Sequence, residues 1–530
     1  MDKKKTVFAR DATGLVREAG VLDVLQFNAV SLTGVSVVSG SMLILPIMTS
    51  GPGIWEAIVV GFILAMFVNF TYYVLSVTIP RSGGDYVYIS RLLHPALGVL
   101  SAGLTGIFGA LILSATFGAT VWVTAGVAPL LTILGQGQLA STLSAATLQT
   151  GVLTTILFAA LLILGGTKAF YRLNNVVYAI ATLGLIVGGA AFLLVGHNGF
   201  ITLFDAFAKS YGTSSSDIVS TANSFGFTPP GSGAWPMIVA SAVIFTSFYW
   251  ATQSTYLGGE IKNIKRTHMW GIFGASLLWF VVTMFCIGAA YYTIGPELLS
   301  ASSYLNYFQP GSWKLPSLAF FALYANIAAN NLPAAVLISL AFVFGYITVT
   351  GWSFIIFSRA VFALAFDRFL PTSFADISEK FHTPVKAIIL YAVLNIIVLL
   401  LLTVPAASVT IYLYAVGLNV VYMLAFFLGS LSLVVLPYRG KAMFDVSCPF
   451  RQRLAGIPIV SIIGAISAIL LAFYEYVFII NSTYYGVTPS FLQVMVGFIV
   501  FFIALYFVVR AIRKYRGIDL AMVYKEIPPE

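Results

Sequence analysis

Small polar residues interrupt the first long apolar stretch of the chain, residues 33–46 (TGVSVVSGSMLILP). Ser36, Ser39, Gly40 and Ser41 crowd its centre. Glycine costs a helix interior roughly 1 kcal/mol relative to alanine, and serine competes for backbone hydrogen bonds. Backbone groups that a helix break frees inside a bilayer need a cavity or a ligand as partner. The stretch therefore predicts a mid-membrane site for a small polar molecule, with close helix packing through small residues as the alternative.

The composition indicates a membrane protein with many spans. Of the 530 residues, 59% are hydrophobic and only 8% are charged, whereas soluble domains have about 25% charged residues. The mean hydropathy is +0.97. Residues 1–20 are basic but lack the apolar core of a signal peptide, so we expect them to form a soluble tail.

Apolar runs of about 20 residues are typical of transmembrane helices. The sequence contains twelve such runs, and the third is long enough for a steeply tilted helix or for a helix with a short extension. We therefore predict an all-α integral membrane protein with twelve transmembrane helices. The predicted spans are 28–50, 53–77, 96–130, 148–165, 173–195, 235–259, 270–293, 333–358, 386–403, 409–436, 456–481 and 489–511.

The positions of the basic residues predict the orientation of these spans. With the N-terminus inside, all of the 27 lysines and arginines except Lys209 and Lys314 fall on the cytoplasmic side. Both termini are then cytoplasmic, and a plasma membrane is the expected location. The net charge of +9 indicates attraction to anionic membrane lipid rather than to nucleic acid.

Residues that support catalysis or metal binding do not cluster in the predicted spans. A membrane enzyme would need His, Asp, Glu or Cys together at membrane depth, and a channel would need a continuous polar stripe. The chain has no phosphate-binding loop. If the protein moves a solute, we therefore expect secondary transport, which is not driven by ATP hydrolysis. We expect no enzyme activity, no metal and no cofactor. The residues weighed for such sites are Cys286, Cys448, His94, His197, His268 and His382.

Three motifs resemble those of the amino acid–polyamine–organocation (APC) superfamily of transporters. PRSGGDY (80–86) follows the second predicted span, and YLGGEIKNIKRTH (256–268) follows the sixth. SRAVFALAFDRFLPTSFADISEKFHTP (358–384) follows the eighth. The three motifs occur in the order and spacing of the amino acid permeases of that superfamily, and the resemblance covers residues 28–436.

The resemblance implies a LeuT-type fold, in which two inverted repeats of five helices surround a midplane site. Helices 1 and 6 are then discontinuous. The implied organisation is a cytoplasmic tail (1–27), a first repeat (28–195), an extracellular loop (196–234), a second repeat (235–436), helices 11 and 12 (437–511) and a cytoplasmic C-terminal tail (512–530).

The resemblance also implies a substrate site between helices 1 and 6, where the patch TSFYWATQ (246–253) is the counterpart of the Ser-Gly-Ser in the first helix. We expect the backbone N–H groups of residues 39–42 to bind a carboxylate. Carbonyls near Val37 and of residues 248–250 would bind an amine. The predicted substrate-binding residues are Val37, Val38, Ser39, Gly40, Ser41, Met42, Thr246, Phe248, Tyr249, Trp250 and Thr252.

Two departures from the family pattern bear on the substrate. Ser39-Gly40-Ser41 aligns with the usual Gly-Ser-Gly, and Trp250 falls where glycine is common. Because the middles of helices 1, 3, 6, 8 and 10 contain no Asp or Glu, a neutral, zwitterionic amino acid fits best. Amines or other organic cations, bound by aromatic ring faces, are the alternative. An amino acid sensor that does not transport is the alternative of another class.

Coupling and gating residues are expected from the same resemblance. Ala181 stands where some members have a fifth-helix lysine, so we do not expect the proton route that uses that lysine. The coupling ion, H+ or Na+, and uncoupled exchange stay open. Oxygens of Val38, Thr350 and Ser353 are the candidates for an ion site. We also expect Glu260 to pair with Arg81, or with another basic residue on the same side, as a cytoplasmic gate.

Overall fold

The computed structural model describes residues 15, 17–32, 34–380 and 383–525. Parts of both predicted tails, residues 1–14, 16 and 526–530, therefore lie outside the described residues. The described chain is almost entirely helical. In chain order its first α-helices are α1 (Val21–Ser31), α2 (Gly34–Met48), α3 (Pro52–Thr78), α4 (Asp85–Leu92), α5 (Pro95–Ser101), α6 (Ala110–Leu113), α7 (Ala128–Ile133), α8 (Gly137–Ala145), α9 (Thr147–Ala208) and α10 (Ser215–Ser224).

The second half continues the all-α architecture with a single small hairpin among the described residues. Its strands, β1 (Arg453–Leu454) and β2 (Ile457–Pro458), pair antiparallel with Arg453 opposite Pro458. The remaining helices are α11 (Ala234–Tyr249), α12 (Ile264–His268), α13 (Ala275–Ile294), α14 (Pro296–Phe308), α15 (Phe321–Ala329), α16 (Leu332–Phe366), α17 (Val385–Leu402), α18 (Pro405–Arg439), α19 (Lys441–Ser447), α20 (Ile459–Ile480), α21 (Ser482–Tyr485), α22 (Pro489–Tyr515) and α23 (Leu520–Val523).

Eleven helical stretches within the described residues are long and apolar enough to cross a membrane. This confirms the all-α membrane architecture. The predicted fourth and fifth spans both fall in α9, a stretch of 62 residues. Gly166 has non-helical backbone angles between them (φ 69°, ψ −177°), a conformation open to glycine because it has no Cβ. The count of twelve and the five-plus-five repeat stay predictions.

The first span consists of two helices, but the interruption is not where the serines predicted it. α1 ends at Ser31 and α2 begins at Gly34, while residues 39–42 lie inside continuous α2. Thr33 lies outside the described residues. A Cβ on Gly34 would lie 2.3 Å from the ring of Trp279, so close packing holds the chain at this glycine. At Gly40 a Cβ would meet nothing within 4 Å.

The sixth span changes conformation inside the predicted patch. α11 ends at Tyr249, and residues Trp250–Tyr256 and Gly258–Glu260 form 3₁₀ turns before α12 begins. The third span alternates α-helix with π-helical segments at Ala102–Gly109, Ser114–Gly118 and Val123–Val127. Such irregular backbone is tolerated at membrane depth only where protein or a cavity surrounds it.

One end of the helix bundle is closed by backbone pairing between distant loops. The N–H groups of Glu18 and Ala19 donate to the Glu260 carbonyl at 2.9 and 3.0 Å. Gly83 N–H donates to the Tyr256 carbonyl at 3.1 Å. We call this end the basic face, because it includes residues 79–94, 256–266 and 367–370 and the arginines at the ends of α18 and α22.

Candidate functional site

One stripe of α2 faces open space. Ser36, Gly40 and Ile44 follow one another at helical spacing and are half-buried, whereas Val38, Ser39 and Ser41 are buried. The stripe lines a cavity of about 250 Å³, which we call the central cavity. The α2 stripe follows from helical spacing alone: Ser36, four residues before Gly40, was identifiable from the sequence.

The opposite wall of the central cavity comes from α11 and the 3₁₀ turn that follows it. Val243, Thr246, Ser247 and Trp250 line it at helical spacing. None of the described residues that line the cavity carries a formal charge. The others are Leu113, Phe117, Tyr307, Leu418, Asn419, Phe478, Tyr484 and Tyr485.

Trp250 is held in place by other rings. Its ring centroid lies 4.2 Å from that of Tyr422 and 5.9 Å from that of Trp352. The Tyr249 ring is stacked beside it at an interplanar angle of 10°. Only 6% of Trp250 is exposed, so the part of the indole that faces the cavity is fixed in orientation before any ligand binds.

Tyrosines from distant segments complete the cavity. The Tyr307 hydroxyl donates to the Tyr484 carbonyl at 2.6 Å, and the Tyr485 hydroxyl donates to the Val239 carbonyl. These hydrogen bonds join α14, α21 and α11. The sequence analysis did not identify these three tyrosines. Tyr307 and Tyr484 are 177 positions apart, so no local pattern indicates that they meet.

Three of the predicted substrate-binding residues line the central cavity, namely Gly40, Thr246 and Trp250. Val37, Val38, Ser41 and Met42 are buried on other faces of α2. Successive residues of an α-helix point about 100° apart, so a run of adjacent residues cannot all face one site.

The other predicted residues in this region serve packing. The Ser39 hydroxyl lies 2.9 Å from the Tyr346 hydroxyl on α16. The Phe248 ring packs edge-on against Phe62 at 5.3 Å, and the Tyr249 hydroxyl donates to the Asn419 carbonyl at 3.3 Å. Phe248 and Tyr249 are not among the described residues that line the central cavity, and their role in substrate binding stays a prediction.

The carbonyls expected to bind an amine already have side-chain donors. Asn69 Nδ2 donates to the Phe248 carbonyl at 3.2 Å, and Ser31 Oγ donates to the Trp250 carbonyl at 2.7 Å. The Tyr249 carbonyl accepts from Thr252 Oγ1 at 3.0 Å. Thr252 is therefore an internal cap of the 3₁₀ turn. The sequence indicated which carbonyls a helix break would free, but not that side chains would satisfy them.

The two interrupted spans are also joined through Asn28. Its Oδ1 accepts from Ser254 N–H at 3.0 Å, and its Nδ2 donates to Ser254 Oγ at 3.1 Å and to the Gly271 carbonyl at 3.0 Å. Asn28 is fully buried. α1 and the 3₁₀ turns after α11 thus form one hydrogen-bonded unit at the basic face, and sequence reasoning missed it.

Glu260 forms a buried ion pair with Arg359, which is one of the other basic residues expected on that side, and not with Arg81. Arg359 Nε and Nη2 donate to the two carboxylate oxygens at 2.8 and 2.9 Å, and Arg359 is 0% exposed. Gly258 lies against the Arg81 backbone, where a Cβ would be 2.6 Å from the Arg81 carbonyl oxygen. The loop thus approaches Arg81 through backbone, while the Glu260 carboxylate binds α16.

The candidate ion-site residues lie on α2 (Val38) and α16 (Thr350 and Ser353), and the ion site stays a prediction. Thr350 lies against the third span, where a Cβ on Gly118 would be 2.7 Å from its hydroxyl. The hydroxyls of Thr350 and Ser353 are buried with no hydrogen-bond partner among the described atoms. No described group of three or more His, Cys, Asp or Glu is arranged to bind a metal ion.

An all-α membrane protein with interrupted helices around an uncharged cavity has the organisation of a solute transporter. The sequence matches the amino acid permease family over residues 24–509. The chain belongs to that family, within the APC superfamily, and is a membrane transporter of amino acids rather than an enzyme. Comparison with curated proteins gives no match.

Proposed function

We propose that the protein is a secondary transporter that binds a neutral, zwitterionic amino acid in the central cavity and moves it by alternating access. The supporting observation is the cavity itself, which lies between the first and sixth spans and has no charged side chain among the described residues of its lining. Its volume of about 250 Å³ is below the roughly 300–1,000 Å³ of drug-sized ligand sites. A single amino acid is a suitable occupant.

The first turn of α2 is the proposed carboxylate site. Gly34, Val35 and Ser36 are the first three residues of α2, so their N–H groups have no acceptor four residues earlier within α2 itself. They carry partial positive charge and favour an anion. Ser36 lines the cavity at this end and adds a hydroxyl. The proposed carboxylate position is therefore about one turn before residues 39–42.

The proposed amine site uses neutral groups. The Trp250 ring attracts an ammonium through its face, and Asn419 and Ser247 add oxygen acceptors in the same lining. One ammonium is balanced by the substrate's own carboxylate. A second positive charge would have no carboxylate partner in this lining, so a neutral side chain is favoured over a cationic one.

Alternating access is supported by the contrast between the two ends of the bundle. The central cavity is bounded by tyrosines of α14 and α21, while the Glu260–Arg359 pair and the loop hydrogen bonds close the basic face. By the positive-inside rule, the basic face is the cytoplasmic side of a plasma membrane, with both termini inside. Anionic lipid is the expected neighbour there.

The experiment that tests this function is uptake of a panel of radiolabelled amino acids into proteoliposomes, with Na⁺ and proton gradients imposed separately. Gradient-driven uptake of neutral amino acids would support the proposal and identify the coupling ion. Counterflow without gradient-driven uptake would identify an exchanger. Uptake of amines alone would establish the organic-cation alternative, and binding without flux would establish a sensor.

Replacing Trp250 with alanine should weaken substrate binding. The substitution removes the fixed ring face, and we expect the apparent KM for uptake to rise about tenfold, equivalent to about 1.4 kcal/mol. Trp270→Ala is the matched control, because Trp270 is 58% exposed on the outside of the bundle. An unchanged KM in Trp250→Ala would contradict the placement of the substrate on this ring.

A further inference from the structure

Three carboxylates in the described part of the chain are nearly fully buried at the basic face, and they differ in one respect. Glu260 is paired with Arg359, and Asp367 is paired with Arg91 at 2.7 Å. Asp85 is 0% exposed, and none of the residues that the structure describes forms an ion pair with it. An ionised carboxylate buried without a cation is costly, and such a group binds a proton instead.

Asp85 lies at the start of α4, beside a tight turn that contacts the sixth span. It is the first residue of α4, directly after Gly83 and Gly84, whose φ angles of +111° and +53° form the tight turn that glycine permits. Gly83 N–H donates to the Tyr256 carbonyl, and a Cβ on Gly84 would lie 2.6 Å from the Tyr256 ring. Asp85 is therefore covered by the 3₁₀ turns of the sixth span.

The hydrogen-bonding neighbours of Asp85 are hydroxyls. Thr105 Oγ1 lies 3.5 Å from Asp85 Oδ2 and 2.8 Å from the Tyr256 hydroxyl. This arrangement connects the carboxyl to the same Tyr256 whose backbone pairs with Gly83. Separation of the 256–260 segment from the 83–84 turn would break these contacts and admit water to the carboxyl.

The titratable groups that face Asp85 are tyrosines from three other elements. Tyr72 of α3, Tyr256 of the 3₁₀ turns and Tyr422 of α18 interact electrostatically with it, and Tyr88 of α4 lies in the same cluster. Neutral phenols do not compensate a negative charge as a cation does. Burial raises the pKa of Asp85 from 3.8 to about 7, although hydrogen bonds from the surrounding hydroxyls oppose the shift.

We propose that Asp85 is a proton-binding site of this transporter, protonated while the 256–260 segment packs on the 83–84 turn and deprotonated to water when that segment moves away. The proton is transferred between the carboxyl and water at the basic face, and no other bond changes. The inference rests on the proposed alternating access, and it adds the identity of a coupling ion and of the residue that binds it.

The direction of the pH dependence follows from this assignment. The closed basic face holds the Asp85 proton more tightly than an open, hydrated one, because an exposed carboxyl has its ordinary, lower pKa. Acid therefore favours the closed arrangement. Opening is progressively favoured as the pH rises from the ordinary pKa through about 7, above which both arrangements are ionised and the effect levels off.

The test measures opening directly, with a cysteine at Ala363 as reporter. Ala363 is 6% exposed, and its Cβ lies 2.6 Å from the position of a Cβ on Gly83, so a thiol there is covered while the face is closed. The native cysteines, Cys286 and Cys448, are replaced first. The rate of modification by a maleimide is divided by the rate in a Tyr515→Cys variant, because native Tyr515 is 94% exposed. This division removes the intrinsic pH dependence of thiol reactivity.

With Asp85 present, the normalised rate should rise at least about tenfold between about pH 5.5 and pH 8.5. Asp85→Asn, which mimics the protonated acid, should stay low and flat, and Asp85→Glu should restore a rise. If the normalised rate had the same pH dependence in the protein with Asp85 and in the Asp85→Asn variant, the proposal would be overturned. This measurement needs no substrate, so it gives a result even if the proposed substrate class is wrong.

A second measurement separates coupling from folding. Asp85→Asn proteoliposomes should retain amino acid counterflow but lose accumulation driven by a proton gradient. Retained proton-driven accumulation in Asp85→Asn would overturn the proposal even if the accessibility result agreed with it. Retained counterflow shows that the variant is folded.

Discussion

Replacing Glu260 with glutamine should open the basic face and reduce uptake at least tenfold. The change leaves Arg359, which is 0% exposed, as a buried charge without its bidentate partner. Removing one partner of a buried pair typically costs about 3–5 kcal/mol. Because the pair joins the 3₁₀ turns of the sixth span to α16, that free energy is lost from the closed arrangement. Thermal unfolding in detergent and maleimide reactivity at Ala363→Cys measure the two consequences.

Two further variants make this test specific. The double variant Glu260→Gln/Arg359→Gln removes both charges and leaves no unpaired buried charge. We therefore expect the basic face to close in part, with lower maleimide reactivity at Ala363→Cys than in Glu260→Gln alone. Asp376→Asn is the matched control, because it breaks an ion pair with Lys386 whose side chains are more than half exposed. Exposed pairs contribute only about 0–1 kcal/mol. If Glu260→Gln behaved like Asp376→Asn in both measurements, the pair would not be a gate.

Replacing Gly40 with leucine should abolish uptake while leaving the protein folded. A Cβ at Gly40 meets nothing within 4 Å, and the residue lines the central cavity, so the new side chain enters the space assigned to the substrate. A branched four-carbon side chain takes up much of a cavity of about 250 Å³. We expect uptake below about a hundredth of the unmodified rate, a loss of about 2.7 kcal/mol or more in transition-state stabilisation.

The control for this variant is Gly497→Leu. Gly497 lies in α22, is exposed on the outside of the bundle and also has nothing within 4 Å of an added Cβ. It should fold and transport normally. Normal uptake by Gly40→Leu would place the substrate elsewhere, whereas loss in both variants would indicate that leucine at an α-helical glycine is itself harmful.

Properties that depend on local composition were predictable from the sequence. Long apolar runs and scarce charges determined an all-α membrane protein, since a bilayer requires helices whose backbone groups pair internally. The motifs at 80–86, 256–268 and 358–384 indicated the superfamily, and the family match over residues 24–509 confirms it. The described lining of the central cavity contains no charged residue, as the scarcity of acidic residues in the spans leads one to expect.

The tertiary structure decided which groups meet. Serines in α2 suggested a break at residues 39–41, yet α2 is continuous from Gly34 to Met48, and Trp279 packs against Gly34. Carbonyls that a local reading left free are bonded by Ser31 and Asn69, each more than 170 residues away in sequence. Sequence periodicity shows what one helix presents on each face. Only packing determines which face meets the cavity, which arginine reaches Glu260, and which buried carboxyl forms no ion pair with the described residues.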